Sequence, residues 1–501
     1  MTDIPVPDHD PDGLWVGIDL GTQSVRVVVT GAGGGPAATG TAPLTSHRAG
    51  PRHEQDPEQW WTAVTTASRQ ALAGLDATRV RGVAVDATSG TVLLADAAGT
   101  PLTPGLMYDD SRALGPHTDR VNEAGAAVWS AVGYGRMQPS WALPKIGWLL
   151  AQDRRFADPA TRLLHQGDLV GWRLAGRQVA TDASQALKTG YQLAAEEWPE
   201  AVLTSLGVPS TLLPRVVAPG TPLGTVCPAA AEATGIPAGT VLVAGMTDGC
   251  AAQLGSGTVE PGAWNSVLGT TLVLKGVSRS LVRDPSGVVY CHRGPEGTWL
   301  RGGASSSGAG ALTRLFPGAD LERLTERAAR RQPRAGAPVA YPLVGAAGER
   351  FPFAAPDAEP FVLGVLDDEV DLFAANLLGL ACLERLCLEY LASLGAPVDG
   401  PLSFTGGGAR NRYWSQLRSD VLGREVRLPE RAEPGHGMAL LAMATTTGLP
   451  LPVAAKAMAG AGARLRPEAA RTGHYQAVYA AFVDELVDRG WLDRIPRRPA
   501  P

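Results

Sequence analysis

Apolar, β-branched runs broken by polar turns rich in glycine recur along the chain. One pair of runs spans residues 15–29, and its turn is Gly21, Thr22, Gln23 and Ser24. A second pair spans residues 264–275, and its turn is Gly269, Thr270 and Thr271. Both patterns predict β-hairpins whose turns offer backbone N–H groups and hydroxyls, which suits phosphate oxygens, although any hairpin needs a polar turn. Because the two lie about half the chain apart, they favour a duplicated two-domain protein over chance similarity of short turns.

Two further strands end at polar side chains. Residues 240–244 form a β-branched run that is followed by Asp248 and a helix-like segment up to Gly255. A carboxylate at the carboxyl end of a strand is well placed for chemistry, although Asp at this position often only caps the helix. Residues 80–86 form a buried type of strand that is followed by Thr88 and Ser89, which suit either a polyol or a local cap.

Two later segments have glycine turns that we expect near a nucleotide. Residues 300–310 are a glycine and serine loop opening a helix, so Gly303 is a candidate for anion or ribose binding, with a flexible linker as the alternative. Residues 401–414 form a strand, a glycine turn and a helix. Gly407 and Gly408 let a flat ring approach, Asn411 can hydrogen-bond it and Trp414 is available for stacking.

Other stretches are assigned to the scaffold. Residues 58–75 have the apolar spacing of an amphipathic helix, and residues 372–394 that of a buried one. Asp110 and Arg112 follow an apolar strand and suit a structural ion pair as well as a ligand contact.

Length and composition limit the kinds of protein that this chain can be. A chain of 501 residues is long enough for two domains, and 45% hydrophobic with 19% charged residues is typical of globular proteins. A net charge of −5 gives no electrostatic footprint for nucleic acid or an anionic membrane. The five scattered cysteines indicate neither a disulfide framework nor a zinc site and fit the cytoplasm. No lysine follows a glycine, which excludes a G-x-x-x-x-G-K-[ST] phosphate loop.

The segments at 17–24, 245–252, 268–271 and 405–411 together resemble the FGGY carbohydrate kinases, which are sugar kinases of the actin-like ATPase superfamily. The resemblance covers residues 14 to about 491 in the family's order. It implies an α/β protein with two RNase-H-like domains, at 14–243 and 244–491, that bind ATP and sugar in a cleft between them. The ends, 1–13 and 492–501, are expected to be tails. A homodimer is one of the assemblies left open.

The resemblance also implies roles for individual residues. Asp248 matches the general base, and Asp19 matches the acid at the Mg²⁺ and substrate site. The residues that match the ATP site are Thr22, Gln23, Ser24, Gly269, Thr270, Thr271, Gly407, Gly408 and Asn411, with Trp414 beside them. Residues 108–112 are similar to the family's Trp-x-Asp-x-Arg element, with Tyr108 in place of Trp, and make Asp110 a substrate candidate.

The substrate prediction depends on residues 86–90, Asp-Ala-Thr-Ser-Gly. Xylulokinases usually have a Met-His pair here and glycerol kinases an Arg-Glu pair, and this chain has neither. Together with residues 165–168, 186–191 and 268–275, the segment resembles the D-ribulose kinase branch, in which Asp19, Ser89 and Asp248 would hold the ketopentose. The expected reaction is phosphorylation of D-ribulose at O5, with D-xylulose as the alternative. A sugar-independent ATPase and a sugar sensor without activity are the rival functions.

Overall fold

The computed structural model describes residues 12–132, 134–331, 336–345, 348–460 and 462–493. The expected tails fall almost entirely outside these described residues. The chain divides into two compact units. The first comprises Met1–Val259, His292–Leu300 and Arg431–Gly460, and the second comprises Glu260–Cys291, Arg301–Glu430 and Ala461–Pro501. The first unit therefore extends beyond the boundary expected at 243 and includes a late segment, whereas the sequence suggested two contiguous domains.

The strands in the described residues follow in chain order. They are β1 Leu14–Leu20, β2 Ser24–Gly31, β3 Pro36–Pro43, β4 His47–Ala49, β5 Arg52–Gln55, β6 Val80–Ala87, β7 Val92–Ala95, β8 Gly105–Leu106, β9 Arg162–His165, β10 Thr181–Asp182, β11 Val216–Val217, β12 Pro222–Thr225, β13 Val241–Thr247, β14 Trp264–Leu268, β15 Leu272–Ser278, β16 Tyr290–Arg293, β17 Trp299–Ala304, β18 Val339–Tyr341, β19 Phe361–Leu363, β20 Leu402–Thr405, β21 Val426–Leu428 and β22 Ala463–Leu465.

The α-helices are numbered in the same way. They are α1 Pro57–Leu72, α2 Pro116–Val132, α3 Ala142–Gln152, α4 Gln166–Ala175, α5 Ala183–Ala186, α6 Glu200–Leu206, α7 Pro228–Thr234, α8 Asp248–Gly255, α9 Gly310–Leu315, α10 Leu321–Ala329, α11 Glu369–Ser393, α12 Arg412–Leu422, α13 Pro434–Thr447, α14 Leu451–Met458 and α15 Ala469–Asp488.

The first unit is built on a six-stranded sheet in the order β12-β13-β6-β1-β2-β3. Strands β1 and β2 form the predicted antiparallel hairpin, and β6 and β13 add to β1 in parallel. Because strands running in the same direction end at one edge of the sheet, the residues after β1, β6 and β13 are brought close together. A smaller five-stranded sheet, β4-β5-β8-β7-β9, completes this unit with β10-β11.

The second unit repeats the same arrangement in a seven-stranded sheet, β16-β17-β15-β14-β20-β21-β22. Strands β14 and β15 form an antiparallel hairpin, β20 lies parallel to β14 and β21 lies parallel to β20. The order and direction match those of β2, β1, β6 and β13 in the first unit. The repeated hairpins of the sequence thus correspond to two sheets of one topology, and the expected two-domain α/β class is confirmed.

Helix α13, in the segment Arg431–Gly460, packs against the first sheet. Gly17 of β1 lies so close to it that a Cβ atom there would overlap the carbonyl oxygen of Gly435. On the other side of the helix, Gly437 lies equally close to the carbonyl of Ala251 in α8. Glycines on both elements therefore permit backbone-to-backbone packing that larger residues would prevent.

The two predicted scaffold helices form with shifted ends. Helix α1 begins at Pro57 after Asp56, whose carboxylate accepts a hydrogen bond from the Glu58 amide at 3.0 Å. Helix α11 is the central core helix of the second unit, and most of its residues are buried. In the described part of the chain, no helix combines the length and the apolar character needed to cross a bilayer.

Candidate active site

Three carboxylates meet at the carboxyl edge of the first sheet. Asp19 is the penultimate residue of β1 and is the register partner of Asp86 in β6, so both side chains lie on one face. Asp248 follows Thr247, which is the register partner of Ala87. The β-branched strands account for this placement, which brings Asp19 and Asp248 to the same edge of the sheet.

The proximity of these acids is visible in their electrostatics. Burial, with repulsion from Asp248, raises the pKa of Asp19 from 3.8 to about 6, although Arg26 opposes the shift. Burial and the negative charges of Asp19 and Asp248 raise the pKa of Asp86 well above 3.8. Asp86 is 0% exposed, and neither of its carboxylate oxygens accepts a hydrogen bond from a described residue. Burial next to two other acids therefore favours the protonated form of Asp86 more strongly than that of an exposed aspartate.

Helix α5 fixes the strand end before Asp248. The Thr247 amide donates to Ser184 Oγ at 2.9 Å, and Ser184 Oγ in turn donates to Asp182 Oδ1 at 2.5 Å. Gln185 Nε2 donates to the Ala87 carbonyl at 3.1 Å. This short helix thus ties β6 to β13 and fixes the junction at which Asp248 begins α8.

The turn after β6 is held by two lysines. Lys188 Nζ donates to the Ser89 carbonyl at 3.0 Å, and Lys145 Nζ donates to the Gly90 and Met107 carbonyls, each at 2.7 Å. Burial lowers the pKa of Lys145 from 10.5 to about 7. Ser89 Oγ is buried and has no hydrogen-bond partner among the described residues, so it keeps its capacity for a sugar hydroxyl.

Asp110 is buried, and its carboxylate oxygens are already hydrogen-bonded within the protein, whereas a sugar contact requires an accessible carboxylate. It is 0% exposed, and its carboxylate accepts hydrogen bonds from Arg112 Nε at 2.9 Å, Arg112 Nη2 at 2.7 Å and the His53 amide at 2.7 Å. Of the two interpretations left open by the sequence, the geometry agrees with the structural ion pair. We therefore do not include Asp110 among the proposed sugar contacts.

The first glycine turn presents unused amides. The carbonyls of Thr22 and Gln23 accept hydrogen bonds from Gln55 Nε2 at 2.7 Å and from the Leu44 amide at 2.8 Å, and Ser24 accepts one from Gly21. The backbone amides of Thr22 and Gln23 donate to no described residue. A turn held through its carbonyls, with its N–H groups left over, is suited to an anion.

The second glycine turn has the same property. The Gly269 and Thr270 carbonyls each accept a hydrogen bond at 3.0 Å, from the amides of Ala309 and Gly310, and the Gly269 amide donates to Thr271. The Thr270 and Thr271 amides donate to no described residue. The chain therefore contains two equivalent N–H clusters, one in each unit.

Several residues expected at the nucleotide have other surroundings. Gly303 lies inside β17, where a Cβ would overlap the ring of Phe351, so the 300–310 stretch begins as a strand up to Ala304 and the helix begins only at Gly310. Trp414 is 2% exposed and its indole N–H donates to the Leu377 carbonyl at 3.0 Å, which makes it a core residue that cannot stack on a base. As the third residue of α12, it points its ring towards α11.

Of the other residues predicted at the 405–411 glycine turn, two are held by neighbouring side chains and one is open. Asn411 Oδ1 accepts the Trp414 amide at 3.0 Å as the N-cap of α12, and Asn411 Nδ2 donates to Thr325 at 2.9 Å. Gly408 is packed against the Leu268 side chain, whereas Gly407 is exposed and has open space where a Cβ would point. Gly407 is thus the position at which a flat ring has room to approach the backbone.

Sequence reasoning assigned no individual role to five polar groups behind the site, although it placed some of them in turns or motifs near it: Asp86, Lys145, Asp182, Ser184 and Lys188. Asp86 carried a usable signal, since an acid at the end of an apolar, buried strand is costly without a function. The others act through long-range hydrogen bonds that local patterns do not reveal.

A magnesium ion fits this set of acids. Within the described ranges, no group of three or more His, Cys, Asp or Glu side chains is spaced to hold a metal ion by itself. Magnesium bound with nucleotides needs only one or two carboxylates, since water and phosphate oxygens complete its coordination. Asp19, with its raised pKa and two neighbouring acids, is a site where added positive charge is favourable.

Comparisons with known proteins agree with this geometry. The N-terminal domain model of the FGGY family of carbohydrate kinases matches residues 14–255, and the C-terminal domain model matches residues 265–446. A xylulose kinase from Streptomyces rubiginosus is 32% identical over 429 residues, covering 84% of this chain and 85% of that protein. A gluconokinase from Bacillus subtilis is 26% identical over 442 residues, covering 83% and 84%.

The fold is shared with solved kinases as well. The crystal structure of xylulose kinase from Rhodospirillum rubrum superposes with a TM-score of 0.82 at 24% identity, covering 95% of this chain and 99% of that one. The two sheets of one topology are therefore those of the actin-like kinase fold. The two domain models together span most of the chain, and the protein belongs to the FGGY family of carbohydrate kinases, as an ATP-dependent sugar kinase.

Proposed function

We propose that this kinase transfers the γ-phosphoryl group of ATP to the primary hydroxyl of a ketopentose, with D-ribulose as the first candidate and D-xylulose as the second. The observation that carries the proposal is the position of Asp248 beside Asp19 at the end of three parallel strands. One carboxylate is available to accept a proton and another to hold a cation, within one site.

In the proposed reaction Asp248 accepts the proton of the sugar hydroxyl. The hydroxyl oxygen forms a bond to the γ-phosphorus, the bond between that phosphorus and the β–γ bridging oxygen breaks, and ADP leaves. Because phosphoryl transfer passes through a loose transition state, orientation by Asp248 matters more than its basicity. The hydrogen bonds through Ser184 and Thr247 supply that orientation.

Charge on the phosphates is balanced by the remaining parts of the site. Mg²⁺ held at Asp19 would neutralise the transferring phosphate oxygens. The unused amides of Thr22 and Gln23 and those of Thr270 and Thr271 are proposed as donors to the phosphate chain. Gly407, where the backbone is open, is the proposed approach for adenine.

The two sugar candidates rest on different observations. D-Ribulose is favoured by residues 86–90, Asp-Ala-Thr-Ser-Gly, which lack the Met-His pair usual in xylulokinases and include a Ser89 hydroxyl without a hydrogen-bond partner among the described residues. D-Xylulose is favoured by the names of relatives such as the Streptomyces rubiginosus enzyme. Because these sugars differ only in configuration at C3, a direct comparison separates them.

The test is ADP release by the purified protein with Mg²⁺ and ATP. The acceptors are D-ribulose, D-xylulose, L-ribulose, ribitol, glycerol, gluconate and none, and phosphorus NMR identifies the product. We expect the highest kcat/KM with D-ribulose and a loss of about 10²–10⁴-fold in kcat for Asp248→Asn. Asp153→Asn, which makes the same change at a turn remote in sequence, is the control.

Each other result has a defined meaning. Preference for D-xylulose would move the assignment to the second candidate, and preference for gluconate or glycerol would contradict both. Turnover that is equal with and without sugar would support the ATPase. Sugar binding without any product would support the sensor.

A further inference from the structure

The long segment after α9, whose role is not evident from its sequence, contains a buried carboxylate that contacts the serine stretch beside the second glycine turn. Glu349 is 3% exposed. Its Oε2 accepts hydrogen bonds from Ser305 Oγ at 2.9 Å, Ser307 Oγ at 3.1 Å and Tyr341 OH at 2.7 Å. Its Oε1 accepts the amide of Ser306 at 2.6 Å. Three successive serines therefore point a donor at one side chain.

The same stretch holds the second glycine turn from the other side. The Ser305 amide donates to the Leu272 carbonyl at 2.9 Å, and the Leu272 amide donates to the Ser307 carbonyl at 2.8 Å. Three residues later the Gly310 amide donates to the Thr270 carbonyl at 3.0 Å. Gly308 lies so close to Thr270 that any side chain there would overlap it. The path from Glu349 to Thr270 is thus a continuous set of hydrogen bonds and close packing.

The chemistry of Glu349 indicates why a carboxylate is needed. Among the described residues all of its donors are neutral hydroxyls and amides, so its burial is not compensated by an ion pair. An ionised carboxylate without a counter-charge is expensive to bury, and an acceptor of this capacity is retained where several donors must converge. Hydroxyl-to-hydroxyl contacts would leave the serine stretch free to adopt other geometries.

We propose that Glu349 is a positioning residue for the nucleotide phosphates, acting through residues 305–310 on the turn at 269–271. The proposal rests on the proposed role of that turn in holding ATP. Its consequence is selective: loss of Glu349 should weaken binding of the polyphosphate, while adenosine and sugar contacts made elsewhere keep their strength.

The experiment compares two buried carboxylates of the second unit. Asp284, like Glu349, accepts hydrogen bonds from neutral donors among the described residues, namely the amides of Ser286, Val288 and Val289 and the hydroxyls of Ser286 and Tyr390. None of these donors belongs to residues 305–310. Glu349→Gln and Asp284→Asn therefore make equivalent losses of charge at similar burial, with and without a connection to the turn.

We expect Glu349→Gln to raise KM for ATP by about tenfold, which corresponds to the loss of one or two phosphate hydrogen bonds, and to leave KM for the sugar within about twofold. Calorimetry should show weaker binding of ATP and ADP with unchanged binding of AMP. Asp284→Asn should change none of these constants. Equal effects of the two variants, or equal losses for AMP and ATP, would overturn the proposal.

A milder pair keeps the test decisive if Glu349→Gln does not fold. Ser305→Ala removes a donor that lies on the stretch beside the turn, and Tyr341→Phe removes a donor to the same oxygen from β18. Only Ser305→Ala should weaken ATP relative to AMP. The proposed function fails separately: wild-type protein that binds ATP but phosphorylates no sugar would contradict the ketopentose assignment while the ATP and AMP comparison still decides the role of Glu349. Failure of the wild type to bind ATP would overturn both.

Discussion

Replacing Asp182 by Asn should make the protein more stable at neutral pH, and the gain should grow with pH. Asp182 lies behind Asp248, where its Oδ1 accepts hydrogen bonds from the Ser184 amide at 2.8 Å and the Gln185 amide at 3.1 Å. Burial raises the pKa of Asp182 from 3.8 to about 6, against the lowering effect of the Ser184 hydrogen bond, while the charge of Asp168 adds to the increase and His165 opposes it. An amide retains the acceptor without the charge.

The sign and size of the effect follow from linkage. Because the folded pKa is above the unfolded one, the folded protein binds more protons between about pH 4 and 6, and the stability that Asp182 contributes is lost as pH rises through that window. A shift of about two units corresponds to about 3 kcal/mol at full ionisation, since each unit is worth ~1.4 kcal/mol. Roughly half of that amount develops between pH 5 and 8.

The measurement is the free energy of unfolding of wild type and Asp182→Asn in urea at pH 5, 6, 7 and 8. Groups that do not interact with Asp182 titrate equally in both proteins and cancel in the difference, which therefore reports Asp182 together with its coupling to Asp168 and His165. That difference should increase by about 1.5 kcal/mol in favour of the variant from pH 5 to 8. A difference that is constant with pH, or that moves in the opposite direction, would refute a raised pKa as the source of the instability.

Two buried arginines of the second unit differ in their partners, so removing the unpartnered arginine and removing the carboxylate of the paired one should have opposite effects on stability. Arg301 is 1% exposed, and none of its guanidinium nitrogens has a hydrogen-bond partner among the described residues. Arg301→Met should therefore raise the free energy of unfolding, measured by thermal denaturation, by about 1–4 kcal/mol. A melting temperature lower than that of the exposed control Arg330→Met would contradict this. Arg418 donates two hydrogen bonds to Glu384, at 2.7 and 2.9 Å, and both side chains are 1% exposed. Glu384→Leu should therefore lower the free energy of unfolding by about 3–5 kcal/mol, and the double variant with Arg418→Met should recover most of that loss. A double variant that is no more stable than the single one would refute the pairing argument.

Local patterns in the sequence predicted the parts of the site that depend on a few neighbouring residues. A β-branched run followed by glycine indicates a strand and a turn wherever it occurs, which is why both hairpins and the strand before Asp248 have the expected form. Trp414 and Gly303 were predicted at the nucleotide but lie in other surroundings, because the residues that pack against them are distant in sequence. The ring of Trp414 faces α11, and Gly303 makes room for Phe351.

The two units share one sheet topology, but the acids at the end of the first sheet have no counterparts in the second. Asp19 stands two residues before Gly21, and the corresponding position before Gly269 is Val267. The register partner of Asp19 is Asp86, whereas that of Val267 is Thr405. Both units therefore keep a turn with free amides, which any phosphate can use, but only the first has the carboxylates that a proton and a cation require. An acid introduced at Val267 would face Thr405 on the partner strand rather than a second acid such as Asp86, so duplication of the turn alone does not reproduce the group of carboxylates found in the first unit.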